Sequence, residues 1–337
     1  MVEKRVIGTL NGADVHEFTV SDGGLTVNIM EYGATVHNIF FEGIDCVAGY
    51  DDLEGYVNGG SHQGATVGRY ANRLGGAAFE INGVRYSVDR NDNGVNSLHG
   101  GNCGFSHRIY RGEAVADNAV KFTIFSPDGE GGYPGNLEMS VTFTVKNDTL
   151  TLKYRAVSDR DTVMNFTNHA YFNLGAKNNL TTVLQIKADA ITPVDSLLIP
   201  TGELMDVTDT EFDFRQPKPI GRDIAGEHPQ LKLGGGYDHN FVLSEERGYK
   251  KDAVVAFCPE SGITLTCSTD LPGVQLYTAN MLDEPCGKGG LPLIKYYAFC
   301  LETQFWPDTP NNPDFPSCLV KAGEVFETVT EYSFKKQ

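Results

Sequence analysis

The chain has 337 residues, of which 40% are hydrophobic and 21% are charged, with 38 glycines and 15 prolines. These values are typical of a globular protein with many turns and argue against a disordered chain. The formal net charge of −17 argues against nucleic acid and anionic membrane surfaces as partners, because both are negatively charged. No apolar run approaches the ~20 residues that span a bilayer. A neutral small molecule such as a sugar is compatible with this charge.

A single domain covering residues 1–337 is predicted. The length would allow two domains, but all-β sandwiches often exceed about 200 residues as one domain. No internal repeat, low-complexity tract or linker divides the sequence. The seven cysteines are odd in number and scattered, without a Cys-x-x-Cys pair, so reduced and mostly buried thiols are expected. The charged start, Met1 to Arg5, lacks the apolar region of a signal peptide and predicts a cytoplasmic protein.

Alternation of apolar and polar residues predicts strands through most of the chain. The clearest pair surrounds the turn Asn147-Asp148, and a shorter pair surrounds Asn82-Gly83, a sequence that favours a type I′ hairpin turn. Gly33 is expected to mark a bulge inside a long strand. The predicted strands are 5–10, 14–20, 25–42, 79–81, 84–86, 120–125, 139–145, 150–156, 162–166, 182–192, 240–244, 253–258, 263–269, 274–279, 297–305 and 324–334.

Helical periodicity is nearly absent, and only the stretch 219–231 predicts one or two helical turns. The fold class is therefore all-β, a large antiparallel β-sandwich of two packed sheets with few short helices. The loops 87–108 and 128–136 are rich in Gly, Asn and Asp. Loops of this kind commonly carry function on a rigid scaffold.

The strongest chemical signal is a pair of distant segments, 167–174 and 301–308, that contain His169 and Glu302. An imidazole and a carboxylate facing each other across a cleft can deliver a proton to one oxygen of a substrate while removing one from another. Such chemistry suits a sugar ring or a carbonyl and needs no cofactor. A carboxylate close to His169 is expected to favour its charged imidazolium form.

The other histidines are weaker candidates. His99 lies before two glycines that would let a ligand approach the backbone. A hydrogen-bonded structural role is the ordinary interpretation of His16, His37, His62, His107 and His228. The spacings His-x-x-x-His and His-Glu-x-x-His are missing from the sequence, so no metal site is predicted.

Polar groups suited to sugar hydroxyls occur in three further segments. Asn72 and Arg73 would supply fixed donors, and Asp238 would supply an acceptor. Gln275 would add an amide, and Tyr277 an aromatic ring for the apolar face of a pyranose. Salt bridges, turns and packing are the competing interpretations of these residues.

Seven motifs follow one another along the chain, at 64–69, 97–101, 128–135, 167–174, 200–202, 237–240 and 301–304. Their order resembles the aldose 1-epimerases, also called galactose mutarotases. The resemblance implies a β-supersandwich that interconverts the α and β anomers of free aldoses without a cofactor. It implies His169 as the general acid at the ring oxygen and Glu302 as the base at the C1 hydroxyl. It also implies substrate-binding roles for Asn72, Arg73, His99, Asp238, Gln275 and Tyr277.

Three alternative functions remain open. A hexose-6-phosphate 1-epimerase would need additional basic residues for the phosphate. A non-catalytic sugar-binding protein would not need both His169 and Glu302, and a glycoside hydrolase would use two carboxylates. The protein is expected to be a monomer or homodimer. Trp306, the single tryptophan, is expected near the mouth of the cleft, where its fluorescence would report sugar binding; packing in the core is the alternative interpretation.

Overall fold

Short antiparallel strands are the main regular elements of the computed structural model, which describes residues 2–337. The strands of the first half of the chain are β1 (Glu3–Leu10), β2 (Ala13–Asp22), β3 (Leu25–Met30), β4 (Thr35–Phe41), β5 (Ile44–Asp45), β6 (Thr66–Val67), β7 (Arg73–Leu74), β8 (Ala78–Ile81), β9 (Val84–Ser87), β10 (Ser97–Leu98), β11 (Arg111–Ala116), β12 (Ala119–Ser126), β13 (Leu137–Lys146), β14 (Thr149–Ser158), β15 (Thr162–Val163), β16 (Thr167–Asn168) and β17 (Tyr171–Phe172). Those of the second half are β18 (Val183–Ile186), β19 (Ala190–Ile191), β20 (Met205–Asp206), β21 (Lys218–Pro219), β22 (Asp238–Val242), β23 (Lys250–Phe257), β24 (Ile263–Thr269), β25 (Gly273–Tyr277), β26 (Asp283–Glu284), β27 (Leu293–Ile294), β28 (Phe299–Gln304), β29 (Leu319–Val320) and β30 (Val325–Lys336).

Two short α-helices occur within residues 2–337, α1 (Leu53–Asn58) and α2 (Pro229–Gly234). The sequence analysis did not predict α1. The Asp52 carboxylate accepts a hydrogen bond from the Gly55 N–H and caps this helix. Pro229 begins α2, and Gly235 ends it at φ 65°, a left-handed conformation that suits glycine. The helical turns predicted near 219–231 correspond to the 3₁₀ turn Ile220–Arg222 and to the start of α2. The 3₁₀ turns are Gly75–Ala77, Phe105–His107, Glu130–Gly132, Ile220–Arg222, Lys288–Gly290 and Thr309–Asn311.

Three larger sheets form the architecture, and the predicted all-β antiparallel sandwich is confirmed. A nine-stranded sheet has the order β11-β12-β13-β14-β30-β24-β23-β18-β21, and a six-stranded sheet has the order β17-β28-β25-β22-β19-β20. A five-stranded sheet contains β1 to β5 in sequence order. The nine-stranded sheet packs against the five-stranded sheet through β13. It contacts the six-stranded sheet where the Tyr332 hydroxyl donates a hydrogen bond to the Leu301 carbonyl. A continuous apolar core joins all three sheets.

The hairpin signals in the sequence are confirmed. β13 and β14 pair in register from Leu137↔Ser158 to Lys146↔Thr149. Asn147 and Asp148 form the turn with φ of 49° and 58°. β8 and β9 pair around Asn82 and Gly83, whose φ angles of 52° and 79° are those of a type I′ turn.

Two predicted strands are wrong because the chain turns within the first and bends within the second. The segment 25–42 is the hairpin β3 and β4, and Gly33 lies in the connection at φ 65°. The register shift of that hairpin occurs instead at Asn28 and Ile29. The segment 182–192 divides into β18 of the nine-stranded sheet and β19 of the six-stranded sheet. Alternation does not reveal the break in 182–192, because apolar residues continue in the same phase at Leu184, Ile186, Ala188 and Ala190.

The seven cysteines are free thiols, and five of them are buried, as the sequence predicted. No helix among residues 2–337 is long and apolar enough to cross a membrane.

Candidate active site

The register of the six-stranded sheet brings the main polar groups onto one face. Gln275 pairs with Glu302, and Asp238 pairs with Tyr277. Cys300 pairs with Tyr171 on one side and with Tyr277 on the other. Directly opposed residues of antiparallel strands point to the same face, as do alternate residues of one strand. This face therefore carries two carboxylates, an amide, two phenols and a thiol.

Loops from the first half of the chain form the opposite wall of the cleft. β7 and β10 pair through Leu98↔Arg73, which places Arg73 beside the loop that carries His99. His169 follows β16, and its N–H donates to the Ala65 carbonyl. The two walls enclose a cavity of about 370 Å³, at the lower end of the range for small-molecule sites. Its lining is Gly60, Ser61, His62, Asn72, Arg73, Leu98, His99, His169, Tyr171, Asp238, Tyr277, Met281, Leu282, Asp283, Glu284 and Glu302.

His169 and Glu302 meet inside this cavity. Nε2 of His169 lies 3.6 Å from Oε1 of Glu302, and the two residues are 5% and 2% exposed. Oε2 of Glu302 is buried without a hydrogen-bond partner in the protein. Because a buried polar atom without a partner is costly, this oxygen is suited to a ligand hydroxyl.

Burial controls the charge of this pair. It lowers the pKa of His169 to about 4. Burial, reinforced by the charge of Asp238 and opposed by Arg73, raises the pKa of Glu302 to about 8. The expectation that a carboxylate keeps His169 charged is therefore wrong for the free protein, because loss of hydration outweighs the attraction. Between pH 4 and 8 the pair holds a neutral imidazole and a protonated carboxyl group.

His99 has a defined tautomer. Its Nδ1 accepts a hydrogen bond of 3.2 Å from the Asn72 N–H. Burial and the neighbouring imidazoles of His62 and His169 lower the pKa of His99 well below its usual value. A neutral imidazole that accepts at Nδ1 carries its proton on Nε2. His99 therefore presents a fixed Nε2–H donor, and its ring centroid lies 5.1 Å from that of His169.

Arg73 and Asp238 lie close together at the other side of the cavity. The Arg73 Nη1 atom is 4.0 Å from Asp238 Oδ2, and Arg73 Nε donates to Asp92 Oδ2 at 3.3 Å. Asp238 Oδ1 accepts a hydrogen bond of 2.7 Å from Gln275 Nε2. Asn72 lines the cavity at a left-handed φ of 63°. These partners hold Arg73 and Asp238 in fixed positions while leaving polar atoms directed at the cavity.

Seven of the eight predicted site residues line the cavity, and Gln275 does not. Gln275 is buried behind Asp238, and its Oε1 accepts a hydrogen bond from Gln304 Nε2. Arg69, four residues before Arg73, donates to Ser126, Pro127 and Pro134 and fixes the loop 126–134.

Trp306 is also outside the cavity lining. It is 2% exposed, donates Nε1–H to the Pro272 carbonyl and packs against Phe315. The expectation that it lies at the mouth of the cleft is wrong, because its large apolar ring fills the core.

Sequence reasoning missed His62, Tyr171 and the rim formed by residues 281–284. The Tyr171 ring stacks on His169 with centroids 5.1 Å apart; its position two residues after His169 on a strand-like segment was an available signal. The His62 ring lies 5.0 Å from His99, and its Nδ1 is 2.9 Å from the Ser106 hydroxyl. Nothing in the local sequence of His62 indicated this proximity.

One group of side chains has the composition of a metal site. Ligand atoms of His99, His169 and Glu302 lie within 4.8 Å of one another. A metal-binding nitrogen must carry a free lone pair. Nε2 of His99 is protonated because its Nδ1 accepts the Asn72 N–H, so the donor set fits a proton-transfer site better than a three-ligand metal site.

Comparison with known proteins identifies the family of this chain. The family model described as aldose 1-epimerase matches residues 16–333. The chain belongs to the aldose 1-epimerase family. Among curated relatives in this family, the galactose mutarotase of Bos taurus is 40% identical, over 99% of this chain and 98% of the relative. The aldose 1-epimerase of Escherichia coli is 34% identical, over 93% of each chain.

Solved structures of aldose 1-epimerase relatives have the same fold. The galactose 1-epimerase of Lactobacillus acidophilus superposes with a TM-score of 0.89 at 27% identity, covering 100% of this chain and 99% of the relative. An aldose epimerase homologue from C. elegans superposes with a TM-score of 0.87 at 29% identity, covering 94% and 98%.

Proposed function

We propose that this protein is an aldose 1-epimerase that interconverts the α and β anomers of free aldohexoses such as galactose and glucose. The observation that carries the proposal is the buried pair of His169 and Glu302, 3.6 Å apart in a cavity lined by sugar-binding groups. Opening a cyclic hemiacetal requires proton removal at the C1 hydroxyl and proton delivery to the ring oxygen. Two positioned side chains supply both, each typically worth about 10² to 10⁴ in rate.

The reaction proceeds by ring opening and reclosure. Glu302 removes the proton of the C1 hydroxyl, the bond between C1 and the ring oxygen breaks, and His169 protonates that oxygen. The product is the open-chain aldehyde, which rotates about C1–C2. Reclosure from the other face returns both protons and gives the opposite anomer.

The reaction cycle requires no gain or loss of protons relative to the free site. Imidazolium with carboxylate and neutral imidazole with carboxyl group contain the same number of protons. The second state is that of the free protein, and it is also the state that faces the open-chain aldehyde. Sugar binding therefore needs only a shift of one proton from Glu302 to His169.

The remaining lining groups bind and orient the ring. The fixed Nε2–H of His99 donates to the ring oxygen. Arg73 and Asn72 donate to hydroxyl oxygens, and Asp238 accepts from a hydroxyl group. Tyr277 offers an aromatic surface to the apolar face of the sugar, the contact commonly made by buried aromatics. Gln275 acts through Asp238.

The cavity favours a neutral sugar over a hexose phosphate. Arg73 is the one Lys or Arg side chain among its lining residues, against three acidic residues, Asp238, Asp283 and Glu284, besides Glu302 with its neutral carboxyl group. A phosphate would meet net repulsion there. A glycosidase would also require the second carboxylate as a catalyst, whereas Asp238 is held by Gln275 and Arg73.

Polarimetry of freshly dissolved α-galactose and α-glucose tests the function. The protein should accelerate mutarotation, and His169→Asn or Glu302→Gln should each remove most of the activity while sugar binding survives, because shape is retained and proton transfer is lost. Near-full activity of either variant would disprove the assigned roles.

Turnover of a nitrophenyl glycoside that is lost in Asp238→Asn, without faster mutarotation, would identify a hydrolase. Faster anomerisation of glucose 6-phosphate than of glucose would favour the phosphate enzyme.

We further propose that the protein acts in the cytoplasm as a monomer or homodimer. Seven free thiols support a reducing compartment.

A further inference from the structure

Cys300 lies directly behind His169 and makes a contact that the mechanism above does not use. It precedes Glu302 by two residues on β28, so the two side chains share a face of the sheet. Its side chain is fully buried, and Sγ lies 3.5 Å from Nδ1 of His169. The opposite nitrogen, Nε2, faces Glu302. The imidazole is thus held between a thiol and a carboxyl group.

The proton on Glu302 indicates which nitrogen of His169 is protonated. Because Glu302 is a carboxyl group in the free protein, Nε2 faces a proton donor and is suited to carry the lone pair. A neutral imidazole with a lone pair on Nε2 has its proton on Nδ1. The Nδ1–H then points at Sγ of Cys300, which is a weak acceptor. Burial, reinforced by Glu302 and Asp238, raises the pKa of the thiol well above its usual value, so the sulfur stays uncharged.

We propose that Cys300 is a positioning residue of the reaction whose sulfur accepts the Nδ1–H of His169 and keeps Nε2 as the nitrogen that exchanges a proton with the ring oxygen. This inference rests on the proposed function and deepens it. The Nδ1–H persists in both charge states, as imidazolium before ring opening and as neutral imidazole after it. No tautomer change is therefore needed between opening and reclosure.

A sulfur acceptor also explains why His169 remains a strong acid. In many sites a carboxylate accepts the second N–H of a histidine and stabilises the imidazolium. An uncharged sulfur orients the ring with little stabilisation of its charge. Such a histidine protonates the weakly basic ring oxygen more readily than one whose charge is stabilised.

The other titratable groups around His169 do not compete in this role. They are His62, His99, Tyr171, Tyr277 and Glu302. Burial lowers the pKa of His62 to about 3 and that of His99 well below its usual value, and it raises the pKa values of both tyrosines. Asp238 acts on the pair through Glu302.

The test is the tautomer of His169. It is measured by ¹⁵N NMR of histidine-labelled protein at pH 6 without substrate, and the His169 signal is assigned by its loss in His169→Asn. The wild type should carry its proton on Nδ1. Cys300→Ala should shift His169 toward the Nε2–H tautomer and lower kcat about 3- to 10-fold, the effect of one ordinary hydrogen bond, with KM little changed. Cys300→Ser should retain the Nδ1–H and move the acid limb of kcat/KM to higher pH, because oxygen is a stronger acceptor than sulfur.

Cys267→Ala is the matched control, since Cys267 is an equally buried thiol on β24 outside the cavity lining. It should leave the tautomer and kcat unchanged. A wild-type proton on Nε2 would overturn the proposal, as would an unchanged tautomer in Cys300→Ala. If the alanine variant does not fold, the wild-type spectrum and the serine variant decide. The NMR result requires no turnover, so it is independent of whether mutarotation is observed.

Discussion

At the scale of single residues, desolvation dominates the chemistry of the cleft. His169 and Glu302 are close enough to attract each other as ions, yet burial favours their neutral forms. Between pH 4 and pH 8, the two pKa values, the pair holds one proton that can pass from one side chain to the other. Interacting groups of this kind titrate as a pair.

The pH dependence of kcat/KM should therefore be a broad bell with limbs near pH 4 and pH 8. Below the lower limb both groups are protonated and no base remains. Above the upper limb Glu302 is ionised and His169 is neutral, so no acid remains. Polarimetry across pH 3.5 to 9 measures this profile, with chemistry shown to be rate-limiting by a solvent isotope effect. A single narrow optimum near pH 5.5 would contradict it.

Glu302 should also reduce the stability of the fold at neutral pH. Its pKa is about 4.5 when exposed and about 8 when folded, so the unfolded state loses its proton first. Stability falls as the pH rises from 4.5 to 8 and is unaffected by this group below that range. Glu302→Gln, which does not titrate, should be more stable than the wild type by about 1 to 3 kcal/mol at pH 8.

Urea unfolding at pH 8 and pH 4.5 measures this difference. It should be small at pH 4.5, where the wild-type carboxyl group is protonated in the folded state and about half protonated in the unfolded state. Asp252→Asn, at a partly exposed strand position outside the cavity lining, provides a control for loss of one negative charge. Equal stabilisation by Glu302→Gln at both pH values would contradict the assigned pKa.

At the scale of secondary structure, one buried amide connects the two walls of the cleft. Asn165 is fully buried and lies between β15 and β16. Its Nδ2 donates to the Ala71 carbonyl at 3.2 Å, and its Oδ1 accepts the Phe305 N–H at 2.9 Å. Ala71 precedes Asn72 and Arg73, and Phe305 directly follows β28, which carries Glu302. Asn165 thus fixes the separation of the hydroxyl-binding loop and the acid-base pair.

Asn165→Ala should destabilise the protein by about 2 to 4 kcal/mol, because it leaves buried backbone groups without partners. It should also lower kcat/KM at temperatures where the variant is folded. Chemical denaturation and polarimetry measure the two effects. Asn118→Ala removes an amide that donates to Val145 in a hairpin turn outside the cavity lining; it should lower stability less and leave kcat/KM unchanged.

At the scale of the whole molecule, the apolar core is continuous from Phe18 in β2 to Phe334 in β30. The core contains residues of all three large sheets, and the last strand pairs with β14 and β24 in the centre of the nine-stranded sheet. The single domain over residues 1–337 stays a prediction, and these connections are the reason to expect one cooperative folding unit.

Trp306 provides a probe of this cooperativity. Because it is buried and lies outside the cavity lining, galactose should cause no saturable change in its fluorescence. Unfolding should expose it and shift its emission to longer wavelength. The denaturation curves from Trp306 fluorescence and from far-ultraviolet circular dichroism should coincide. Separate transitions would indicate more than one folding unit.

The sequence by itself determined the fold class and the main hairpins. It also predicted eight site residues, of which seven line the cavity. Alternation identifies strands because the side-chain period is local, and turn residues such as Asn82-Gly83 act within four residues. His169, Glu302 and Asp238 were recognisable because each occurs in a distinctive motif.

Only the tertiary structure decided which of these groups meet and how they are charged. The register of β22, β25 and β28 places Gln275 behind Asp238, and the packing of the core takes Trp306 away from the cleft. His62 and Cys300 contact the site although neither has a local chemical signature. The pKa values of His169 and Glu302 depend on burial by elements far apart in the chain. Desolvation is a property of the assembled cleft, so residue types and spacing could not reveal it.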